Sequence, residues 1–169
     1  MKPEILFLKY AFPCSFVLKQ RGEISQETLD MLENAAINSM PLGREILEKI
    51  YFRAIARMKA LAKELHKDYF SEDLIREYFT KRHNELLDGM CNGIKDKGLD
   101  IDKNAPPALK HLCKVFSSKI IKKGEDYYVV HYDYGGQNKK TRVVSRSLLP
   151  DAEIGDFVAI HYGYAVEKV

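Results

Sequence analysis

The chain is short of several things that would name a function at once. It has three cysteines, Cys14, Cys91 and Cys113. An odd count at irregular spacing is no disulfide framework, so the thiols imply a reducing, cytoplasmic setting. Charge of one sign is also scarce. Against 27 Lys and Arg stand 24 Asp and Glu, a net +3, too little to name a nucleic acid as partner. No apolar run is long enough to span a bilayer. The stretch from Ile5 to Leu18 carries Lys9 and Pro13, and a spanning helix needs about 20 apolar residues. With Glu4 in its basic start and no small-residue cleavage site, it is a poor signal peptide as well. It is expected to form one or two buried helices. Internal repeats, a Gly-rich phosphate loop, paired catalytic carboxylates and a nucleophile–base pair are all missing, so no enzyme is expected.

What is present divides in two. Residues 1–105 read as a helical domain. Pro13 should interrupt the first helix. Ser25 is a candidate N-cap for a helix with Leu29, Leu32, Ala36 and Ile37 at i, i+3, i+7 and i+8. After Pro41 and Gly43, Ile46, Leu47, Ile50, Ile55, Met58, Leu61 and Leu65 predict one long helix. Ser71 caps another, which Gly89 should close. From Cys91 to Pro107 the periodicity fails, and a linker is expected. Residues 106–112 form the end of that linker or a short helix starting near Ala108.

From residue 113 to 169 the pattern is that of strands. The runs 119–122, 127–134, 141–144, 157–160 and 162–166 are separated by turn signals every 8–12 residues. The expected fold is therefore α+β, an N-terminal helical bundle followed by a small C-terminal β-barrel of the OB-like kind. The charge surplus belongs to this second part, because residues 106–169 carry 10 basic and 7 acidic side chains.

Two motifs lie in it. The first is Asp133-Tyr134-Gly135-Gly136. The second runs Leu149-Pro150-x-Ala152-x-x-Gly155-Asp156-Phe157-Val158-x-x-His161-x-Gly163-Tyr164-Ala165. In order and at this spacing they resemble the HypC/HupF hydrogenase-maturation chaperones, over about a third of the chain. The resemblance implies a HypC-like barrel. It also implies a non-catalytic accessory role, delivering iron to the large subunit of nickel–iron hydrogenase together with other maturation factors. Family members begin Met-Cys, and that cysteine with the histidine matching His161 is thought to hold the iron. Here Cys113 stands at the corresponding place before Lys119-Ile120-Ile121, and Ser117-Ser118 replace the family's Pro-Gly. Cys113 and His161 are thus the implied sulfur and nitrogen ligands, a donor pair suited to iron.

The same residues also have plainer readings. Cys113 can be a small buried hydrophobe, His161 a hydrogen-bonded core residue, and the Gly-containing motifs turn chemistry. Cys14, after Phe12-Pro13 in an apolar stretch, reads as core. A zinc set of His83, Cys91, His111 and Cys113 matches no standard spacing. One further alternative rests on the basic residues Lys119, Lys122, Lys123, Lys139, Lys140, Arg142 and Arg146. With Tyr127, Tyr128, Tyr132 and Tyr134 between them, they could form a face for single-stranded nucleic acid, which small barrels bind by charge and stacking. Otherwise they are a solvated rim.

Overall fold

The structure is a computed structural model, and it describes residues 1–89, 106–134, 136 and 138–169. Cys91, the rest of the expected linker, Gly135 and Gln137 lie outside the described residues.

The fold is α+β, with a helical region followed by five strands. Helix α1 (Pro3–Ala11) starts on a proline, which has no N–H to lose in a first turn. Pro13 interrupts the first helix as expected: α1 ends at Ala11 and a new helix starts at Ser15. It sits in a single 3-10 turn, Phe12–Cys14, that leads straight into α2 (Ser15–Gln20). Ser25 and Ser71 cap α3 (Gln26–Ile37) and α6 (Glu72–Glu77), their hydroxyls accepting from the N–H of Thr28 and Leu74 at 3.1 and 3.3 Å. The long helix expected after Gly43 is two helices, α4 (Arg44–Ile50) and α5 (Phe52–Leu65), which meet at Tyr51. Tyr51 leaves helical geometry (φ −103°, ψ 36°) and enters the core. Its ring meets Phe7 edge-on, and its hydroxyl lies 2.6 Å from that of Ser15. Burying this aromatic outweighs an unbroken helical ladder.

Helix α6 runs on through a π-helical turn, Tyr78–Arg82, into α7 (His83–Leu87). Gly89, in the left-handed region at φ +72°, closes it by bonding back to Leu86. After the undescribed segment a short helix, α8 (Pro107–Leu112), leads to Cys113. Among the described residues, no helix is long and apolar enough to cross a membrane.

The strands are β1 (Val115–Lys123), β2 (Tyr127–Tyr134), β3 (Asn138–Ser145), β4 (Phe157–His161) and β5 (Tyr164–Lys168). They close in the order β1-β2-β3-β5-β4. All pairs are antiparallel except the parallel bridge between Ser145 and Tyr164. Gly155, at φ +98°, serves the turn before β4, where Asp156 accepts the N–H of Glu153 at 2.9 Å. That is the turn chemistry expected of Gly155-Asp156.

Strand β4 explains how the two parts join. Alternate side chains of a strand point to opposite faces. Val158 and Ile160 fill the interior of the ring with Ile120, Tyr128 and Val130. Ala159 points the other way and joins the apolar cluster of the helices, as do Val115, Leu148 and Val166. Both faces of β4 are therefore covered, and four of its five residues are buried. Polar contacts seal the seam. Lys9 donates to the Leu148 carbonyl at 2.7 Å. Buried Glu167 accepts from Tyr10 at 2.6 Å and from Arg76 at 3.0 and 3.2 Å. Asn84 binds both backbone groups of Val115, at 2.8 and 2.9 Å, as a neighbouring strand would.

Candidate metal centre

His161 ends β4 in the same alternation as Ala159, so it faces the helices. It is fully buried. Its Nδ1 lies 2.6 Å from the Tyr10 carbonyl at the end of α1. A carbonyl can only accept, so Nδ1 carries the proton and the Nε2 lone pair is left for another group. That lone pair faces Cys14, whose Sγ is 3.8 Å away. Cys14 is the last residue of the 3-10 turn at Pro13, which joins α1 to α2.

The third member is His83. The π-helical turn adds a residue to the ordinary helical repeat and so changes the face on which α7 presents its side chains. The His83 ring meets the His161 ring edge-on, with centroids 5.3 Å apart. It is buried, and its Nδ1 has no hydrogen-bond partner among the described residues. Such an atom is costly to bury without a partner. One ligand atom from each of Cys14, His83 and His161 lies within 4.8 Å of the other two. This group could hold a metal ion.

Burial sets the protonation of the group. It pushes His83 down to about 3, helped by nearby His161 and Arg57. It pushes His161 down to about 4, against the raising effect of the Tyr10 and Cys113 backbone groups. The Cys14 thiol is pushed up to about 12, again by burial first, with Cys113 adding to the rise and Arg57 opposing it. Metal-free, the three side chains are therefore a neutral thiol and two neutral imidazoles. The imidazoles are already in their ligating form. The thiol must lose its proton to ligate, and a divalent cation supplies the charge that makes this possible. One sulfur and two imidazole nitrogens suit zinc, iron or copper. The bond from Nδ1 of His161 to a carbonyl is the orienting contact that metal-bound histidines usually have.

A cavity of about 160 Å³ adjoins the group. Cys14 and His83 line it, with Tyr51, Arg57, Phe79 and Cys113.

The structure places His161 in this group, but its thiol neighbour is Cys14. Cys113 caps α8, half-buried, on the wall of the same cavity. It is not among the three residues whose ligand atoms converge. Cys14, read from the sequence as core, is half-buried and stands beside two imidazoles. His83, grouped by sequence with His111 and Cys113, belongs with Cys14 and His161. His111 lies elsewhere, its Nε2 2.9 Å from the Tyr132 hydroxyl and its ring against Phe116. No spacing in the sequence joins residues 14, 83 and 161. The π-helical turn that aims His83 has no sequence signature.

The basic residues are divided in role. Lys119, Lys122, Lys139 and Lys140 are exposed. Lys123 pairs with Glu153 at 2.5 Å. Arg142 donates to the Tyr162 carbonyl and the Tyr132 hydroxyl, at 3.1 and 3.2 Å. Arg146 donates to the carbonyls of Gly124, Glu125 and Pro150, tying two turns together. Tyr128 and Tyr132 are buried, while Tyr127 is exposed.

No family model, curated protein or solved structure matches this chain.

Proposed function

We propose that this chain is a non-catalytic, metal-binding accessory protein. In this reading it is a HypC-like chaperone whose metal site is assembled from Cys14, His83 and His161. The ring of strands corresponds to the small OB-like barrel of that family, and the helical region supplies two of the three donors. The cargo implied by the resemblance is iron, and the implied partners are the hydrogenase large subunit and other maturation factors.

One observation carries the proposal. The histidine that the motif singles out, His161, has a thiol and a second imidazole beside it, although the resemblance places the sulfur at Cys113. Sulfur and nitrogen donors favour the metals such a chaperone would carry. The nucleic-acid reading is supported less well, although Lys119, Lys122, Lys139 and Lys140 are exposed. Stacking on single strands needs exposed rings, and Tyr128 and Tyr132 are buried. Two of the seven cations, Arg142 and Arg146, are held by internal carbonyls.

Anaerobic titration of the metal-free protein with iron(II), and in parallel with cobalt(II) and zinc, tests the reading. One equivalent should bind, and Cys14→Ser or His83→Gln should abolish that binding while the circular dichroism spectrum persists. Failure of the wild-type chain to bind any of the three metals would refute the metal-binding role. Affinity capture from the native cell then tests the partners, and recovery of neither hydrogenase subunits nor maturation factors would count against the hydrogenase assignment.

A further inference from the structure

The candidate centre has one sulfur, and a second thiol stands close to it. Cys14 and Cys113 are both free and half-buried, and both line the cavity of about 160 Å³ beside the metal group. The backbone explains their closeness. Strand pairing sets Val115 of β1 opposite His161 of β4, and the Tyr162 N–H donates to the Leu112 carbonyl at 3.0 Å. Segment 112–115 therefore runs alongside His161 and Tyr162, and it carries Cys113. Cys14 meets the same histidine from the helices, its Sγ 3.8 Å from Nε2. The two cysteines thus adjoin one residue from two sides, near enough for the charge of Cys113 to act on Cys14.

Cys113 is outside the three converging donors, so a three-ligand site does not consume its thiol. A metal-bound cysteine is a thiolate, and the thiolate is the form that oxidants attack. The cavity has room for a small oxidant, because its volume is well above the share of one water, about 30 Å³.

We propose that Cys14 and Cys113 form a redox switch on the metal site, in which a peroxide joins them as a disulfide and the metal is released. The inference rests on the metal-binding reading above. The Cys14 thiolate attacks one peroxide oxygen. The oxygen–oxygen bond breaks, hydroxide leaves, and Cys14 becomes a sulfenic acid. The Cys113 sulfur then attacks the Cys14 sulfur. The sulfur–oxygen bond breaks, and that oxygen leaves as water with the Cys113 proton. Two electrons pass from the two sulfurs to the peroxide. The site loses its only anionic ligand, and two neutral imidazoles hold a cation far less tightly. A dithiol reverses the change by thiol–disulfide exchange. Without Cys113 no second sulfur traps the sulfenic acid, and further peroxide takes Cys14 to the irreversible sulfinic acid.

The zinc-loaded full chain tests this, since zinc has no redox chemistry of its own. Hydrogen peroxide should release one equivalent of zinc, read with a chromogenic indicator. Peptide mapping without reductant should find Cys14 joined to Cys113, and dithiothreitol should restore zinc binding. Cys113→Ser should bind zinc as the wild type does. After peroxide, its Cys14 should be sulfinic acid, and dithiothreitol should not restore binding. Cys91→Ser should behave like the wild type. Zinc retained under peroxide would overturn the proposal, as would release with Cys14 unlinked or linked to Cys91. Reversible release from Cys113→Ser would overturn it too. If the wild-type chain binds no zinc, the metal-binding reading and the switch fall together. Binding without the disulfide removes only the switch.

Discussion

Acid should unfold the metal-free protein sooner than its carboxylates alone would dictate, because two buried imidazoles must stay neutral in the fold. Burial holds His83 near 3 and His161 near 4, against an ordinary value of 6.5. Both folded values are depressed, so below 6.5 the unfolded chain binds protons that the folded chain does not. Stability then rises with pH across the window from about 4 to 6.5, and it is lost as pH falls through it. Between pH 7 and pH 5 each histidine should cost about 2 kcal/mol, or roughly 4 kcal/mol for the pair. That is a large part of the 5–15 kcal/mol by which domains are typically stable. Glu48, Glu72 and Asp156 are held below their ordinary values by Tyr69, the N-terminal amine and Lys168 respectively. Their contributions are lost only as pH falls below their ordinary values of 4.5 and 3.8, which lie under the range from pH 7 to 5. Burial also depresses His111, which can only steepen the loss. Urea unfolding with a chelator present, at pH 7, 6 and 5, measures the slope. In His83→Leu one titrating group is gone, and the loss between pH 7 and 5 should shrink by about half. An equal loss in wild type and variant, or none in either, would refute the assignment of buried neutral imidazoles.

Other consequences follow from the seam between helices and strands. Among the described residues, Arg76→Met leaves buried Glu167 with Tyr10 as its hydrogen-bond partner. Because Arg76 is partly exposed, the cost should be roughly 2–3 kcal/mol, below the usual figure for breaking a fully buried pair, as read by chemical denaturation. Asn84→Ala removes both side-chain bonds to Val115. It should cost about 1–3 kcal/mol and speed hydrogen exchange at the Val115 amide, and an unchanged exchange rate would contradict its role as a strand mimic. Zinc should raise the melting temperature of wild type and not of Cys14→Ser, since a ligand that binds only the fold stabilises it. Micromolar protein at low salt should give no shift with mixed oligonucleotides. A shift whose salt slope fell by about 0.7 for each of Lys139, Lys140 and Arg142 replaced by Ala would instead revive the nucleic-acid reading.

The order of elements was legible in the sequence because it depends on local rules. Ser25 and Ser71 cap helices through their own hydroxyls, Gly89 and Gly155 take up positive φ, and the change from a 3.6-residue to a two-residue period marks where strands begin. The break at Tyr51 was not legible, since a continuous apolar period cannot show that one aromatic will leave the helix to reach Phe7 and Ser15. The centre depended still less on local rules. His161 was singled out by a motif, but Cys14 lies 147 positions away and looks like any apolar-flanked cysteine. His83 follows a π-helical turn that contains the buried Tyr78 and Phe79. The sequence by itself determined that a helical segment precedes a set of short strands, because hydrogen bonding and periodicity act between near neighbours. Only the tertiary structure decided which thiol meets which imidazole, because that depends on how the outer face of β4 docks on α1 and α7. Docking of this kind is governed by the summed burial of many side chains rather than by any one residue.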